Sequence, residues 1–276
     1  MLTSSDQVRD YWNKFSQLYG SELEEIYLQP ALALSRMLKL EDKTNILEVG
    51  CGTGELTLRL LKQLPVGCKY ISLDLSDEML RLAAQKKEAN KDKLNDIDHI
   101  FINEDAENIM SIKEETVDAY VASLVLHLTP NPEKLLQEAH RILKKGGVIG
   151  FTVLGKVEDS IFFNIGLNAL KKNGIELPAK SSGGLSLVDR ESLIKVLKGN
   201  GFEVEFCWKE LVTYDIFGEQ GLIKITGQPR IAKILSEVDR EMRTRIEDDI
   251  KKTIFDLKAK QMPLQAEIFF ITARKA

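Results

Sequence analysis

The chain has 276 residues, a formal net charge of −4 and a sequence pI of about 5.6. This mildly acidic balance argues against a protein built mainly to neutralise nucleic-acid phosphates. The three cysteines, Cys51, Cys68 and Cys207, have neither metal-ligand spacing nor the number needed for a disulfide framework. The N-terminal residues lack the apolar stretch of a signal peptide, and no run reaches the ~18 apolar residues of a membrane span. We therefore expect a cytoplasmic protein with reduced cysteines and no metal site.

The first half of the chain alternates between helical and extended patterns. Residues 5–40 predict two helical segments, on which Trp12, Phe15 and Tyr19 share one face. Short apolar runs predict strands at 44–50, 68–76, 98–105, 117–126 and 148–155. Helical patterns lie between them, at 55–64, after the capping residue Ser76 and at 131–147. Five alternations of this kind predict an α/β fold with a doubly wound, mostly parallel sheet and helices on both faces.

The second half is less regular. Helical patterns occur at 160–174 and 189–202, and a charge-rich helical stretch covers 231–260. Alternating patterns predict strands at 202–215 and 266–275, the last of them an edge strand or a hairpin partner.

A glycine-rich turn, LEVGCGTG at 47–54, follows the first predicted strand. It is not a phosphate loop, because Gly54 is followed by Glu55 rather than by Lys. It also lacks the dinucleotide fingerprint, because Glu55 stands where the third glycine belongs. Glu48, two residues before Gly50, would repel a pyrophosphate and attract a cation. The turn therefore predicts a nucleoside-like ligand that carries positive charge.

Two aspartates follow the next strands in the chain. Asp74 ends the second predicted strand and is placed to accept hydrogen bonds from both hydroxyls of a ribose. Asp105 ends the third, where its carboxylate can accept from an exocyclic amine while the N–H of Ala106 donates to a ring nitrogen. Taken alone, Asp74 could equally be a helix-capping or solvated acid. Both positions lie at the carboxyl ends of strands, where open parallel sheets bind ligands.

Taken in order, ILEVGCGTGELT, LDLSDEML, NEDAENI, DAYVASLVLHL and RILKKGGVIGF resemble the successive motifs of a known family. That family is the Rossmann-like (class I) S-adenosylmethionine-dependent methyltransferases, and the small-molecule group with ubiquinone/menaquinone and biotin-pathway enzymes is the most similar. The resemblance covers about residues 44–155 and implies a seven-stranded sheet with an antiparallel last strand. It further implies a helical N-terminal lid over 1–40, a methyltransferase domain over 41–276 and a helical cap inserted at about 216–265.

The resemblance also implies a role for each matching residue. S-adenosylmethionine would be the cofactor, with Glu48 orienting its methionine end, Asp74 holding the ribose and the lid closing over it. The implied contacts comprise the loop residues Gly50, Cys51, Gly52 and Gly54, the adenine neighbours Leu75, Met79, Asp105 and Ala106, the methionine neighbours Ser123 and Leu124, and the lid residues Trp12 and Tyr19. Trp12 and Tyr19 could instead serve only helix packing.

The implied reaction is transfer of a methyl group to a small-molecule acceptor by in-line displacement, which depends mainly on positioning and desolvation. His127 and Tyr19 are candidate proton acceptors, although His127 could simply line the loop wall. Methylation of a protein or nucleic acid is the alternative within the fold. SLVLHL stands where amino-methylating relatives have Asn/Asp-Pro-Pro-Tyr/Phe, which disfavours that subtype. A non-catalytic S-adenosylmethionine-binding module is the third alternative. We expect neither a nucleic-acid nor a membrane partner, and the sequence indicates no oligomeric state.

Overall fold

A computed structural model describes residues 4–156, 159–176 and 189–276. Its strands are β1 Asn45–Val49, β2 Lys69–Asp74, β3 Asp98–Asn103, β4 Val117–Ser123, β5 Leu143–Leu154, β6 Phe202–Tyr214 and β7 Leu264–Lys275. They form one seven-stranded sheet in the order β3-β2-β1-β4-β5-β7-β6. The first five strands pair in parallel, and β7 lies antiparallel between β5 and β6. The predicted fold class is confirmed.

The helices of the first half are α1 Ser5–Leu18, α2 Glu24–Met37, α3 Glu55–Leu61, α4 Asp77–Ala89 and α5 Pro132–Ile142. Those of the second half are α6 Ile161–Lys172, α7 Arg190–Gly199, α8 Gly218–Thr226, α9 Pro229–Glu237 and α10 Arg240–Ala259. Ser76 caps α4 as predicted, because its hydroxyl accepts a hydrogen bond from the N–H of Met79. Helices α8 to α10 form the helical insertion between the last two strands. Within the described ranges, no helix is long and apolar enough to cross a membrane.

Several predicted boundaries differ from the structure: β3 ends at Asn103 rather than at 105, β4 ends at Ser123 rather than at 126, and the helical stretch predicted at 231–260 is divided between α9 and α10. Helix α5 ends at Ile142 rather than at 147, because Leu143 is fully buried and pairs with Val117 in the sheet. Core burial therefore outweighs the helical preference of the two lysines that follow. Of the two alternatives predicted for the last strand, the structure shows the antiparallel partner and not the edge strand: β7 pairs with β6 and β5 on its two sides and is buried along nearly its whole length. Because both faces of the sheet are covered there, β7 does not alternate between buried and exposed residues.

Alternate residues of the strands pack into hydrophobic cores on opposite faces of the sheet. Leu47 belongs to a core covered by α5 and α7, whereas its neighbour Ile46 belongs to a core on the other face. On that second face, a further cluster joins the lid, α6, the inserted helices and β7, through residues that include Phe15, Leu23, Phe162, Ile225, Ile250 and Phe270. The predicted lid and cap thus share one hydrophobic core with the sheet.

Candidate functional site

The three glycines of the loop after β1 all have positive φ, +65° at Gly50, +54° at Gly52 and +80° at Gly54. A β-carbon on Gly50 would lie 2.3 Å from Cγ2 of Val125, and one on Gly54 would lie 2.8 Å from Cβ of Ala83. These two glycines therefore let the loop pack against its own chain. At Gly52 the nearest atom to a β-carbon among the described residues is Cε1 of Tyr19, at 3.5 Å, so the predicted lid faces this side of the loop.

Asp74 ties the end of β2 to this loop. One carboxylate oxygen accepts a 2.8 Å hydrogen bond from the N–H of Gly52, and the other accepts one of the same length from the N–H of Ser76. The neighbouring Cys51 donates its N–H to the carbonyl of Leu73 at 3.1 Å. Burial raises the pKa of Asp74 to about 6, although the hydrogen bonds from the main chain act in the opposite direction. The predicted loop residues and Asp74 are thus brought together.

Glu48 lies beneath the loop, where three hydroxyl groups surround one of its carboxylate oxygens. That oxygen accepts hydrogen bonds from Thr57, from Tyr70 at 2.9 Å and from Ser72 at 3.3 Å. Burial raises the pKa of Glu48 to about 7. Among the ion pairs of the described residues, none involves Glu48 or Asp74. Two buried acids near one loop without a lysine or arginine partner fit a ligand that supplies positive charge.

The residues assigned to the adenine side lie at the ends of β2 and β3. The amide of Asn103 donates to the carbonyls of Asp74 and Leu75, each at 3.0 Å, and so joins the two strand ends. Asp105 follows, and its carboxylate accepts from the N–H of Glu107 at 2.9 Å. Met79, at the start of α4, and Ala106, beside Asp105, are both buried. Their placement agrees with the sequence pattern, in which strand ends meet along one edge of the sheet.

The turn after β4 forms the next part of the site. The hydroxyl of Ser123 lies 2.8 Å from that of Thr152 on β5. Leu124 has a φ of +59°, which lies in the left-handed region that residues other than glycine rarely adopt. Its N–H donates a hydrogen bond to the carbonyl of Thr152. Val125 then packs on Gly50, which sets this turn against the glycine loop.

His127 lies two residues further along the same turn. Its Nδ1 atom is buried and has no hydrogen-bond partner among the described residues. Burial lowers the pKa of His127 to about 4, so its imidazole is neutral near pH 7. A neutral imidazole with a free nitrogen can accept a proton.

Helices α1 and α2, the predicted lid, approach the loop through a row of aromatic side chains. Trp12 packs edge-on against Phe15 and Tyr19, at centroid distances of 5.8 and 6.0 Å, and Tyr19 stacks on Tyr27 at 6.0 Å. Tyr19 begins a π-helical turn, Tyr19–Leu23, which joins α1 to α2. Turns of this type are frequent at functional sites. Burial raises the pKa of the Tyr19 phenol, which therefore stays protonated near pH 7.

Polar contacts that the sequence did not predict fasten this lid. Glu24 accepts hydrogen bonds from Thr53, between two of the loop glycines, and from Lys86 on α4. Asn13 accepts from the Ser76 hydroxyl at 2.6 Å and donates to Asp77 at 2.8 Å. The sequence feature that could have indicated the role of Asn13 is its polar side chain within the aromatic stretch YWNKF. No local pattern distinguishes Glu24 from the adjacent glutamate.

Residues 47–151 match the model of the family described as a methyltransferase domain. Over 157 residues the chain is 28% identical to a malonyl-[acyl-carrier protein] O-methyltransferase from Marinomonas sp., covering 56% of this chain and 54% of the relative. Over 114 residues it is 30% identical to the thiol S-methyltransferase TMT1B of Rattus norvegicus, covering 40% of this chain and 42% of the relative. The chain thus spans about half the length of these curated relatives.

Among solved structures, the chain is similar to phosphoethanolamine N-methyltransferase 2 of Haemonchus contortus, in complex with phosphomonomethylethanolamine and S-adenosylhomocysteine. The TM-score is 0.57 at 17% identity, and the match covers 97% of this chain and 60% of the other. At that identity the likeness concerns the fold alone. Residues 47–151 of this chain thus match the methyltransferase-domain family, and the fold of the chain is similar to that of a solved methyltransferase.

Proposed function

We propose that this chain is an S-adenosylmethionine-dependent methyltransferase that acts on a small-molecule acceptor. The observation that carries the proposal is the pair of buried acids, Glu48 and Asp74, near Gly52, where a β-carbon would meet only the ring of Tyr19 among the described residues. S-adenosylmethionine carries a sulfonium and an ammonium group, which supply the positive charge that these acids lack.

The residues proposed to hold the cofactor line the carboxyl edge of four neighbouring strands. Asp74 would accept hydrogen bonds from the ribose, while Gly52 leaves room for close approach of the methionine portion. Asp105 and Ala106 would hold the adenine edge, with Leu75 and Met79 packed beside it. Ser123 and Leu124 would border the methionine portion, and Trp12 and Tyr19 would cover it from the lid.

The proposed reaction requires the protein mainly to position the acceptor and the cofactor. S-adenosylmethionine supplies a methyl group that is already activated by its sulfonium. The lid residues would exclude water and align the acceptor with that methyl group. Where the acceptor must lose a proton, His127 would be the candidate to take it, although burial lowers its pKa to about 4 and so weakens it as a base. Tyr19 would act as a hydrogen-bond donor, because the raised pKa of its phenol keeps the proton in place.

The proposed acceptor region lies between the lid, α6 and the inserted helices. Phe162 lies 5.2 Å from Phe163 and 5.1 Å from Tyr214, measured between ring centroids, and all three belong to the cluster that contains Tyr27. These rings are packed in a hydrophobic core, and we propose that a compact organic acceptor, rather than a folded macromolecule, would lie against them. Two curated relatives are a thiol S-methyltransferase and a malonyl-[acyl-carrier protein] O-methyltransferase, and we take the thiol enzyme as support for the small-molecule assignment. We also propose that residues 1–40 act as the lid and 216–265 as the cap.

A cytoplasmic location remains part of the proposal and is supported by three cysteines that are free and buried.

The test is transfer of labelled methyl from S-adenosylmethionine to a panel of small thiols, phenols, carboxylic acids and amines, run beside histone and RNA substrates. We expect turnover on at least one small molecule and its loss in His127→Ala or Asp74→Asn. Turnover on a macromolecule alone would contradict the proposed acceptor class. S-adenosylhomocysteine binding without turnover on any substrate would favour the non-catalytic binding module.

A further inference from the structure

Lys224 on α8 is a buried lysine, with 8% of its surface exposed. Its ammonium group donates a hydrogen bond to the main-chain carbonyl of Glu22 and lies 4.0 Å from the carboxylate of the same residue. A lysine is seldom buried unless its charge is compensated. Its partner Glu22 belongs to the π-helical turn Tyr19–Leu23, so Lys224 contacts the lid at this turn.

The turn is held on its opposite side as well. Glu24 follows it directly and accepts hydrogen bonds from Thr53 in the glycine loop and from Lys86 on α4. Apolar packing supports the side that faces the inserted helices, where a β-carbon on Gly227 would lie 3.6 Å from Leu23, itself fully buried. The inserted segment, the π-helical turn and the glycine loop thus form one continuous chain of contacts.

A π-helical turn contains one residue more than the α-helical path it replaces. Its relaxation to an α-helix would rotate the preceding residues by about 100° around the helix axis. Tyr19 begins the turn and covers Gly52, so this rotation would carry its ring away from the loop. A cleft of about 460 Å³ beside the turn, bordered by Glu22, Glu25, Arg59 and Lys224, gives the backbone room to move.

We propose that Lys224 is a positioning residue for the cofactor: by holding the π-helical turn, it keeps Tyr19 over Gly52 and slows cofactor release. The inference rests on the proposed function, because it assumes that the cofactor binds at Gly52. It adds that the inserted segment controls how long the cofactor stays bound. Lys224 of this segment contacts Glu22 of the lid, 202 positions earlier in the sequence.

The lid carries its own fluorescent reporter. The chain has two tryptophans, and Trp12 packs against Tyr19. Trp208 stacks on Phe270 at 5.6 Å and is 37% exposed, so Trp208→Phe keeps a ring there and leaves Trp12 as the single emitter. In this background we would compare Lys224→Met, which keeps the aliphatic length, with Lys224→Arg, which keeps a donor. Lys251→Met is the matched control, because Lys251 is an exposed lysine on α10 that pairs with Asp248.

Titration with S-adenosylhomocysteine and stopped-flow dissociation are both followed by Trp12 emission. We expect Lys224→Met to bind about tenfold more weakly, through faster dissociation, and to change the Trp12 spectrum of the free protein. Lys224→Arg should restore most of both properties, and Lys251→Met should behave like its parent. An unchanged dissociation rate and an unchanged free-protein spectrum in Lys224→Met would overturn the inference. If the parent itself fails to bind S-adenosylhomocysteine, the proposed function fails. The spectrum of the free Lys224→Met protein then still decides whether Lys224 positions the lid.

Discussion

The N–H of Gly52 donates a 2.8 Å hydrogen bond to the carboxylate of Asp74, so one acid both holds the glycine loop and faces the proposed ribose position. We expect Asp74→Asn to weaken S-adenosylhomocysteine binding by about 1–3 kcal/mol, because charge-assisted hydrogen bonds are lost. Isothermal titration calorimetry measures this change. Asp92→Asn, at an exposed acid of a short turn, is the control. Equal affinities for Asp74→Asn and the parent would exclude the ribose role.

The glycines of the loop differ in what a side chain would meet. Gly54→Ala places a β-carbon 2.8 Å from Cβ and 3.2 Å from Cα of Ala83. We expect it to destabilise the fold by about 2–4 kcal/mol, from overpacking together with left-handed strain. Gly67→Ala also has positive φ, at +91°, but meets no atom within 4 Å. It should cost only about 1–2 kcal/mol, as expected from the strain alone. Urea denaturation compares the two, and equal losses would show that the contact with Ala83 is unimportant.

The raised pKa of Glu48, about 7 against an ordinary value of 4.5, has a definite sign for stability. The folded state binds more protons than the unfolded state between these values, so this contribution is present at low pH and is lost as pH rises through 7. Glu48→Gln should remove a pH-dependent difference of up to about 3 kcal/mol. Denaturation at pH 5 and pH 8 measures it as the difference between variant and parent.

The variant must be compared with its parent because two histidines also make stability depend on pH. The pKa values of His99 and His127 are lowered in the folded state, so stability decreases as pH falls below their ordinary value of 6.5, opposite to the effect of Glu48. A Glu48→Gln protein with the same pH dependence as its parent would show that Glu48 is ionised throughout.

Cofactor binding should also strengthen as pH rises from 6 to 8, because the ionised acids attract positive charge.

Two buried tyrosines offer a matched pair. The hydroxyl of Tyr70 donates to Glu48 at 2.9 Å, whereas the buried hydroxyl of Tyr214 has no partner among the described residues. Tyr70→Phe should cost about 1–3 kcal/mol, because it leaves the acid with one donor fewer. Tyr214→Phe should leave stability unchanged or raise it by about 1 kcal/mol. Thermal and urea unfolding measure both. A large loss in Tyr214→Phe would mean that its hydroxyl is satisfied in solution.

The sequence predicted the features that depend on local pattern. Glycine spacing predicted the loop, a strand-final acid predicted Asp74, and a serine before two acids predicted the start of α4, whereas Asp105 lies two residues beyond the end of β3. Parallel strands explain this success, because their carboxyl ends meet along one edge whatever the surrounding packing. The motif order also predicted the antiparallel last strand.

Features set by distant parts of the chain could not be predicted in this way. The contact between Lys224 and Glu22 joins residues 202 positions apart, and the π-helical turn depends on contacts at both of its sides. Helix α5 ends early because Leu143 pairs with Val117, a tertiary preference that overrides local helical propensity. The continuous burial of β7 likewise depends on distant elements, because alternate residues such as Phe269 and Phe270 lie in cores on opposite faces of the sheet.

The central claim is that the cofactor lies against Gly52, between the glycine loop and Tyr19, and calorimetric titration of S-adenosylhomocysteine into Gly52→Val tests it most directly. Gly67→Val is the matched control, since it places the same side chain at another positive φ with open space around it. We predict one-site binding by the parent and by Gly67→Val. For Gly52→Val we predict no measurable binding and a far-ultraviolet circular dichroism spectrum like that of the parent. Binding by a folded Gly52→Val protein with the affinity of the parent would contradict the account.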